Sequence, residues 1–454
     1  MPFLVQTPAA YVAITESDLL DWSGMWLVTK TGAKNTMEAQ LAPPRDQGQT
    51  GLVQGTTPHN SPWRTFIIGR QPCELIQSDL VLNLSTPSKL ADTSWVKPGL
   101  SSWNWWSGSS RMNTASLKQF IDLAADMNWE YALIDAGWSA GQSNILEVSP
   151  NVDMPELVRY AKEKNVRLWL WAHWTAVDRN DTYKQAFPLY EKWGIVGVKI
   201  DFMDRDDQWM VNWYEKIAKT AAESHVMVNF HGAHKPAGLN RTWPNQITRE
   251  GVQGNEYNKF GGDKESPEHK ATLPFTRVLA GPGEYTPGGF LNRQPSQFRQ
   301  SNNNPMVQGT RTSELAMFIL IESPVACACD SPAHYKDQDG KYQPGMDFLK
   351  GLPTVWDETR SLAGEVGKYV VEVRRSGKSW YLAAITDRNA RQLSVPLKFL
   401  GAGDWKVTLW EDAPDSDQNA EHLVKNERTV RPADTLPLKL APSGGTVAIF
   451  SPGM

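Results

Sequence analysis

Gly197-Val198-Lys199-Ile200-Asp201-Phe202-Met203-Asp204 is an apolar, strand-like run that ends in a carboxylate. A second acidic cluster follows, from Arg249-Glu250 to Asn255-Glu256-Tyr257. In a parallel barrel, carboxylates at the C-terminal strand ends sit on the face that does chemistry. Two of them flanking one pocket are the minimum equipment for cleaving a glycosidic bond. One protonates the leaving oxygen, and the other attacks carbon or activates water. Asp201, on a central strand, suits the attacking group; it suits equally the N-cap of the helix expected after it. Lys199 lies two residues earlier and points to the same face. There it can lower the pKa of Asp201 and bind a sugar hydroxyl, or form a buried salt bridge. Glu250 and Glu256 are separated by a Gly-containing loop. Brought close, they repel, so one stays protonated or a cation sits between them. Oxygen-only ligands suit calcium, which takes six to eight of them. The sequence has no EF-hand loop, so a calcium site must be assembled from distant segments.

Other strand ends are polar too: Asp135, His173, Asn229 with His231, and Arg249. Any one of these has a bland reading as a cap or a packed polar group. Their joint occurrence on one rim favours a functional site. The chain also holds twenty tryptophans. Indole faces stack on the apolar faces of sugars, although for any single Trp a place in the core is the better expectation.

The elements that must position these groups form a repeating pattern. Apolar runs at 131–135, 166–171, 196–200 and 226–230 read as buried strands. Amphipathic segments at 114–126, 154–164, 183–193 and 208–223 read as the helices between them. Such alternation means a parallel sheet covered on both faces. Four or more units in a row predict a central (β/α)8 TIM-type barrel over residues 99–365. No G-x-G-x-x-G follows the first strand, against a dinucleotide fold. The segment 261–309 is long, polar and rich in Gly, Pro and Asn, as functional or mobile loops are.

Residues 1–98 carry short β-type runs, at 25–28, 63–68 and 79–84, and read as the end of an N-terminal β-sandwich. Residues 366–454 carry strands at 369–373, 380–385, 405–410 and 445–450, and read as a small antiparallel β-sandwich. Length alone, 454 residues, suggests two or three domains. A hydrophobic content of 40% and a net charge of -4 imply an ordinary core and exclude a nucleic-acid binder. Cys73, Cys327 and Cys329 make no disulfide framework and no zinc motif. No stretch is long and apolar enough for a membrane span.

The chain resembles glycoside hydrolase family 97, a bacterial α-glucosidase and α-galactosidase group. The resemblance rests on Trp103-Asn104-Trp105-Trp106, Ile134-Asp135-Ala136-Gly137-Trp138, Val198 to Asp204, Asn229 to Pro236, Arg249-Glu250-Gly251 and Gly254-Asn255-Glu256-Tyr257. Inverting members resemble this chain but carry a Glu base at the position of Gly232, and they lack an Asp at the fourth strand. The resemblance therefore implies the retaining branch, with Asp201 as nucleophile and Glu256 as acid/base. It implies substrate contacts from Trp105, Asp135, Trp138, Lys199, Asn229, His231 and Arg249. It also implies calcium, held by Glu250, Glu256 and an N-terminal-domain carboxylate, best matched by Glu16. The expected substrate is an oligosaccharide or α-galactoside, with an α-glucoside as the alternative within the family. A non-catalytic carbohydrate binder and a metal-dependent hydrolase or isomerase are the competing classes. The family implies a periplasmic or secreted enzyme, monomeric or a small homo-oligomer. Its members carry a larger N-terminal sandwich behind an export signal, and this chain begins near that domain's end. Met1-Pro2-Phe3-Leu4-Val5 lacks the basic and long apolar regions of a signal peptide.

Overall fold

The computed structural model describes residues 2–45, 51–108 and 111–453. Seven parallel strands form the centre. They are β1 (Gly99–Trp103), β2 (Tyr131–Ile134), β3 (Arg167–His173), β4 (Ile195–Asp201), β5 (Met227–Phe230), β6 (Gln246–Arg249) and β7 (Val325–Ala328). Their lateral order is β6-β5-β4-β3-β2-β1-β7. Helices Thr114–Asp126, Met154–Glu163, Tyr183–Trp193 and Gln208–Ala222 cross between strands. Asn113 and Asp153 start the first two by accepting from the backbone N–H of Ser116 and Glu156, which satisfies otherwise orphaned donors.

An eighth stave is present without being a strand. Segment 283–287 lies between β6 and β7. Glu284 N–H donates to Arg249 O at the end of β6, at 3.0 Å. Gly283 N–H donates to Glu322 O, and Pro287 O accepts from Cys329 N. Pro282 and Pro287 carry no N–H, and Thr286 has φ +57°, so no regular ladder forms. The barrel is therefore of TIM type, with one irregular stave.

Inside it, Trp103, Tyr131, Leu133, Trp169, Met227, Ile247 and Cys327 form an apolar plug. Gly197 faces this plug, where a Cβ would meet the Trp169 indole at 2.4 Å. Only glycine lets the ring lie there. Lys199 and Asp201 continue the same face of β4 upward, so the strand rises from indole to ammonium to carboxylate.

The N-terminal part holds a sheet of Phe3–Gln6, Tyr11–Ser17 and Trp63–Gly69, and a hairpin of Met25–Thr29 with Met37–Leu41. Along Trp63–Gly69, Thr65 and Ile67 are buried while Phe66 and Ile68 are exposed. The run at 79–84, expected as a strand, is the short helix Leu80–Asn83. Its one buried residue, Val81, needs no second face. The C-terminal part is a six-stranded antiparallel sheet built from 358–365, 369–376, 379–386, 445–452, 405–412 and 423–430. A ribbon of 391–396 with 435–440 packs on it. Among the described residues, no helix is long and apolar enough to cross a membrane.

Candidate active site

The strand ends open into a cavity of about 710 Å³. Trp105, Asp135, Lys199, Asp201, His231, Glu250 and Glu256 all line it. His231, directly after β5, is its centre. The imidazole Nδ1 lies 3.8 Å from Asp201 Oδ2 and 3.4 Å from Glu250 Oε2. Nε2 lies 3.6 Å from Glu256 Oε1 and 2.9 Å from Glu284 Oε2. Burial works against a charged imidazole, but the carboxylates, Glu250 first, outweigh it and push His231 up to about 10.

Asp201 is held on both oxygens. The Trp171 indole N–H donates to Oδ2 at 3.0 Å, and Phe202 N–H donates to Oδ1 at 2.8 Å. Burial raises its pKa, but the charges of His231 and Lys199 and these hydrogen bonds more than reverse that, so it lies below the usual carboxylate range. Glu256 goes the other way. Burial dominates, the acids Glu250 and Asp201 add to it, and its pKa rises to about 7 despite His231 and Lys199. Its Oε1 is buried with no hydrogen-bond partner. Glu250, also raised by burial, accepts from Gly232 N–H at 2.6 Å. The site thus pairs one carboxylate kept ionised with one that keeps its proton up to about pH 7, the division of labour an acid and a nucleophile need.

Lys199 takes the salt-bridge part. It forms a buried pair with Asp135 at 3.2 Å and also lines the cavity. The Trp103 indole N–H donates to the same Asp135 oxygen at 2.7 Å. Trp105 stacks on Trp103, with centroids 5.2 Å apart, and lines the cavity.

Four expected site residues lie elsewhere. Trp138 is fully buried; its N–H donates to Trp171 O, and its ring packs on Tyr190 and Trp193. It therefore supports the wall from behind. Asn229 is buried in register with Lys199 of β4 and does not line the cavity. Arg249 points outward, because a register shift pairs Phe230 with Arg249 and Asn229 with Thr248, and a one-residue slip exchanges the faces. Its guanidinium stacks on Tyr214 and Phe230 and donates to His234 Nε2. Glu16 is committed to two cations, Lys235 at 2.6 Å and Arg64 at 2.7 Å. It is not part of the group His231, Glu250 and Glu256, whose ligand atoms all lie within 4.8 Å of one another.

Three family models match in chain order. They are Glycosyl-hydrolase 97 N-terminal over residues 1–87, Glycoside hydrolase 97 over 95–252, and Glycosyl-hydrolase 97 C-terminal, oligomerisation, over 355–451. A retaining alpha-galactosidase of Bacteroides thetaiotaomicron is 34% identical over 96% of this chain and 68% of its own length. The chain belongs to glycoside hydrolase family 97. It is a glycoside hydrolase. A family 97 enzyme from Pseudoalteromonas sp. strain K8, solved with acarbose, superposes with a TM-score of 0.88 at 31% identity, over 100% of this chain and 74% of that one. A beta-arabinopyranosidase superposes with a TM-score of 0.84 at 27% identity, over 99% and 71%.

The family 97 site also contains groups that sequence reasoning missed. Glu284, fully buried, bonds His231 and accepts from Cys327 N–H at 3.2 Å. It sits in a Gly- and Pro-rich run with no strand pattern to flag it. Phe202, with φ +71° and 51% exposed, forms part of the cavity rim. A bulky residue at positive φ is an outlier that only surrounding structure can hold.

Proposed function

We propose that this family 97 enzyme is a retaining α-glycosidase acting on α-galactosides. The observation that carries the acid and nucleophile roles is the opposed protonation of Asp201 and Glu256 on the two sides of His231; retention itself is supported by the relatives' names. The names of two relatives at 34% identity, one a retaining alpha-galactosidase and one a probable retaining alpha-galactosidase, support the substrate. In this reading the ionised Asp201 attacks the anomeric carbon. Glu256 gives its proton to the departing oxygen. The glycosyl group is then carried on Asp201, and Glu256, now ionised, takes a proton from the water that releases it. Trp171 and the Phe202 N–H keep Asp201 aimed. Lys199 and Asp135 bind sugar hydroxyls, and Trp105 supplies an apolar wall beside them.

Calcium belongs to the same proposal. Two close carboxylates, one with an unpartnered buried oxygen, suit an oxygen-loving cation. Glu250 and Glu256 would hold it, with water from the open cavity completing the shell. Glu16 would stay with its two cations. The ion would supply positive charge beside the ionised forms of the two acids. Export from the cytoplasm, and assembly into a small homo-oligomer through the C-terminal sheet, complete the proposal.

The test is proton NMR of an aryl α-galactoside digest, read before mutarotation. α-Galactose as the first product is expected. β-Galactose first would mean inversion and remove Asp201 from the nucleophile's role. Parallel digests of an aryl α-glucoside and an aryl β-arabinopyranoside rank the substrates. A clear preference for either would replace galactose in the proposal.

A further inference from the structure

Beyond the reacting sugar, the cavity carries an aromatic surface on the side where the leaving group departs. Glu256 is followed at once by the four-residue helix Tyr257–Phe260. The acid must stand beside the oxygen it protonates, so whatever that oxygen carries lies over this helix. Asn258 and Lys259 are buried and pin the helix inward. Asn258 Nδ2 donates to Asn255 Oδ1 at 2.8 Å. Lys259 Nζ donates to Trp106 O at 2.8 Å and lies 3.7 Å from the Trp105 ring centroid. With those two residues turned in, Tyr257 and Phe260, at i and i+3, share the other face. Both line the cavity. Phe260 is 55% exposed, and its ring leans on Tyr257 with centroids 5.2 Å apart. A phenyl ring held from behind, open in front and set one helical turn past the acid is a built apolar shelf.

We propose that Phe260, supported by Tyr257, is the platform for the leaving group, and that it takes the apolar face of a ring attached to the glycosidic oxygen. Its natural occupant is the next pyranose of an oligosaccharide. The inference rests on the glycosidase reading and names what that site takes beyond the cleaved sugar. Phe260 acts as a binding residue, since it carries no proton and touches no reacting atom.

The test compares wild type, F260A and F260W on three α-galactosyl substrates. They are the fluoride, whose leaving group has no ring, the p-nitrophenyl glycoside and a galactosyl disaccharide. F260A is expected to lose roughly 5- to 10-fold in kcat/KM on both ring-bearing substrates, the size of about one good aromatic contact. The loss should fall mainly in KM, with the fluoride within about twofold, and F260W should restore both. No loss, or equal loss on all three substrates, would overturn the platform. Loss on the disaccharide alone would also overturn it, because a nitrophenolate needs little acid help and that pattern means a displaced Glu256. Wild type inert on all three would instead sink the galactosidase reading, and the platform with it.

Discussion

Replacing Glu256 by glutamine keeps the side chain's shape but removes its transferable proton and the negative charge it leaves behind. In wild type the acid has to be protonated when substrate binds, and its pKa is about 7. The rate on a disaccharide should therefore fall about tenfold per pH unit above that value. The acid limb is set by Asp201, which is held below the ordinary carboxylate range, so the plateau should extend well into mild acid. In Glu256→Gln the alkaline limb should vanish. Disaccharide turnover should drop about 10²- to 10⁴-fold, the usual worth of a positioned acid, or about 3–5 kcal/mol of barrier. An aryl glycoside with a good leaving group should lose far less in the step that departs. The same variant should change stability in the opposite direction. A carboxyl whose folded pKa is raised contributes stability that is present below about pH 4.5 and is lost as pH rises to about 7. At about 1.36 kcal/mol per unit, the glutamine variant removes a penalty of up to roughly 3 kcal/mol at pH 8. The assays are kcat/KM against pH on both substrates, and Tm at pH 5 and pH 8 after chelation. An alkaline limb that survives unchanged in the variant, or equal slowing of both substrates, would refute the assignment.

Further outcomes follow from the same geometry. Arg249→Ala, which empties a buried stack behind the wall, should cost about 2–4 kcal/mol of stability. It should leave the substrate ranking unchanged; a selective loss of one substrate would return Arg249 to the site. Chelation should lower activity and Tm together, and re-added calcium should restore both; insensitivity of both would remove the ion. Phe66→Thr with Ile68→Thr, on the exposed face of the N-terminal sheet, should raise the concentration at which light scattering reports association. The pair should leave kcat/KM untouched, and unchanged association would mean that this face is not sticky. Gly197→Ala, pressed against Trp169, should destabilise by about 1–3 kcal/mol, read as a shift in the denaturant midpoint; an unchanged midpoint would show that the indole moves freely.

The barrel's regular half was legible because both of its periods are strong. The helices at 114–126 and 183–193 stand where apolar spacing puts them. The polar rim followed from strand ends, and it placed Asp201, His231, Glu250 and Glu256 in one cavity. What escaped has local causes. Arg249 was turned outward by a bulge that no residue pattern announces. Trp138 has the same composition of neighbours whether it faces sugar or core. Glu284 rides on a stave that prolines keep from being a strand. Strand 423–430 is almost wholly exposed on a sheet edge, so Leu423-Val424-Lys425-Asn426-Glu427-Arg428 shows no buried alternation.

Gly232 carries a consequence for how such catalysts can change. Its φ is +54°, and a Cβ there would lie 2.8 Å from Phe202 N and 3.1 Å from Asp201 Oδ1. A side chain at 232 and this ending of β4 therefore exclude each other. The resemblance implies a base at that same position in inverting members. The two stereochemical outcomes would then be separated by a steric wall between neighbouring strand ends. A single codon change to glutamate would meet an occupied space and disturb the nucleophile's backbone without supplying a working base. A lineage crossing from one outcome to the other must first remodel the turn after β4, and laboratory libraries that vary position 232 alone should return only impaired enzymes.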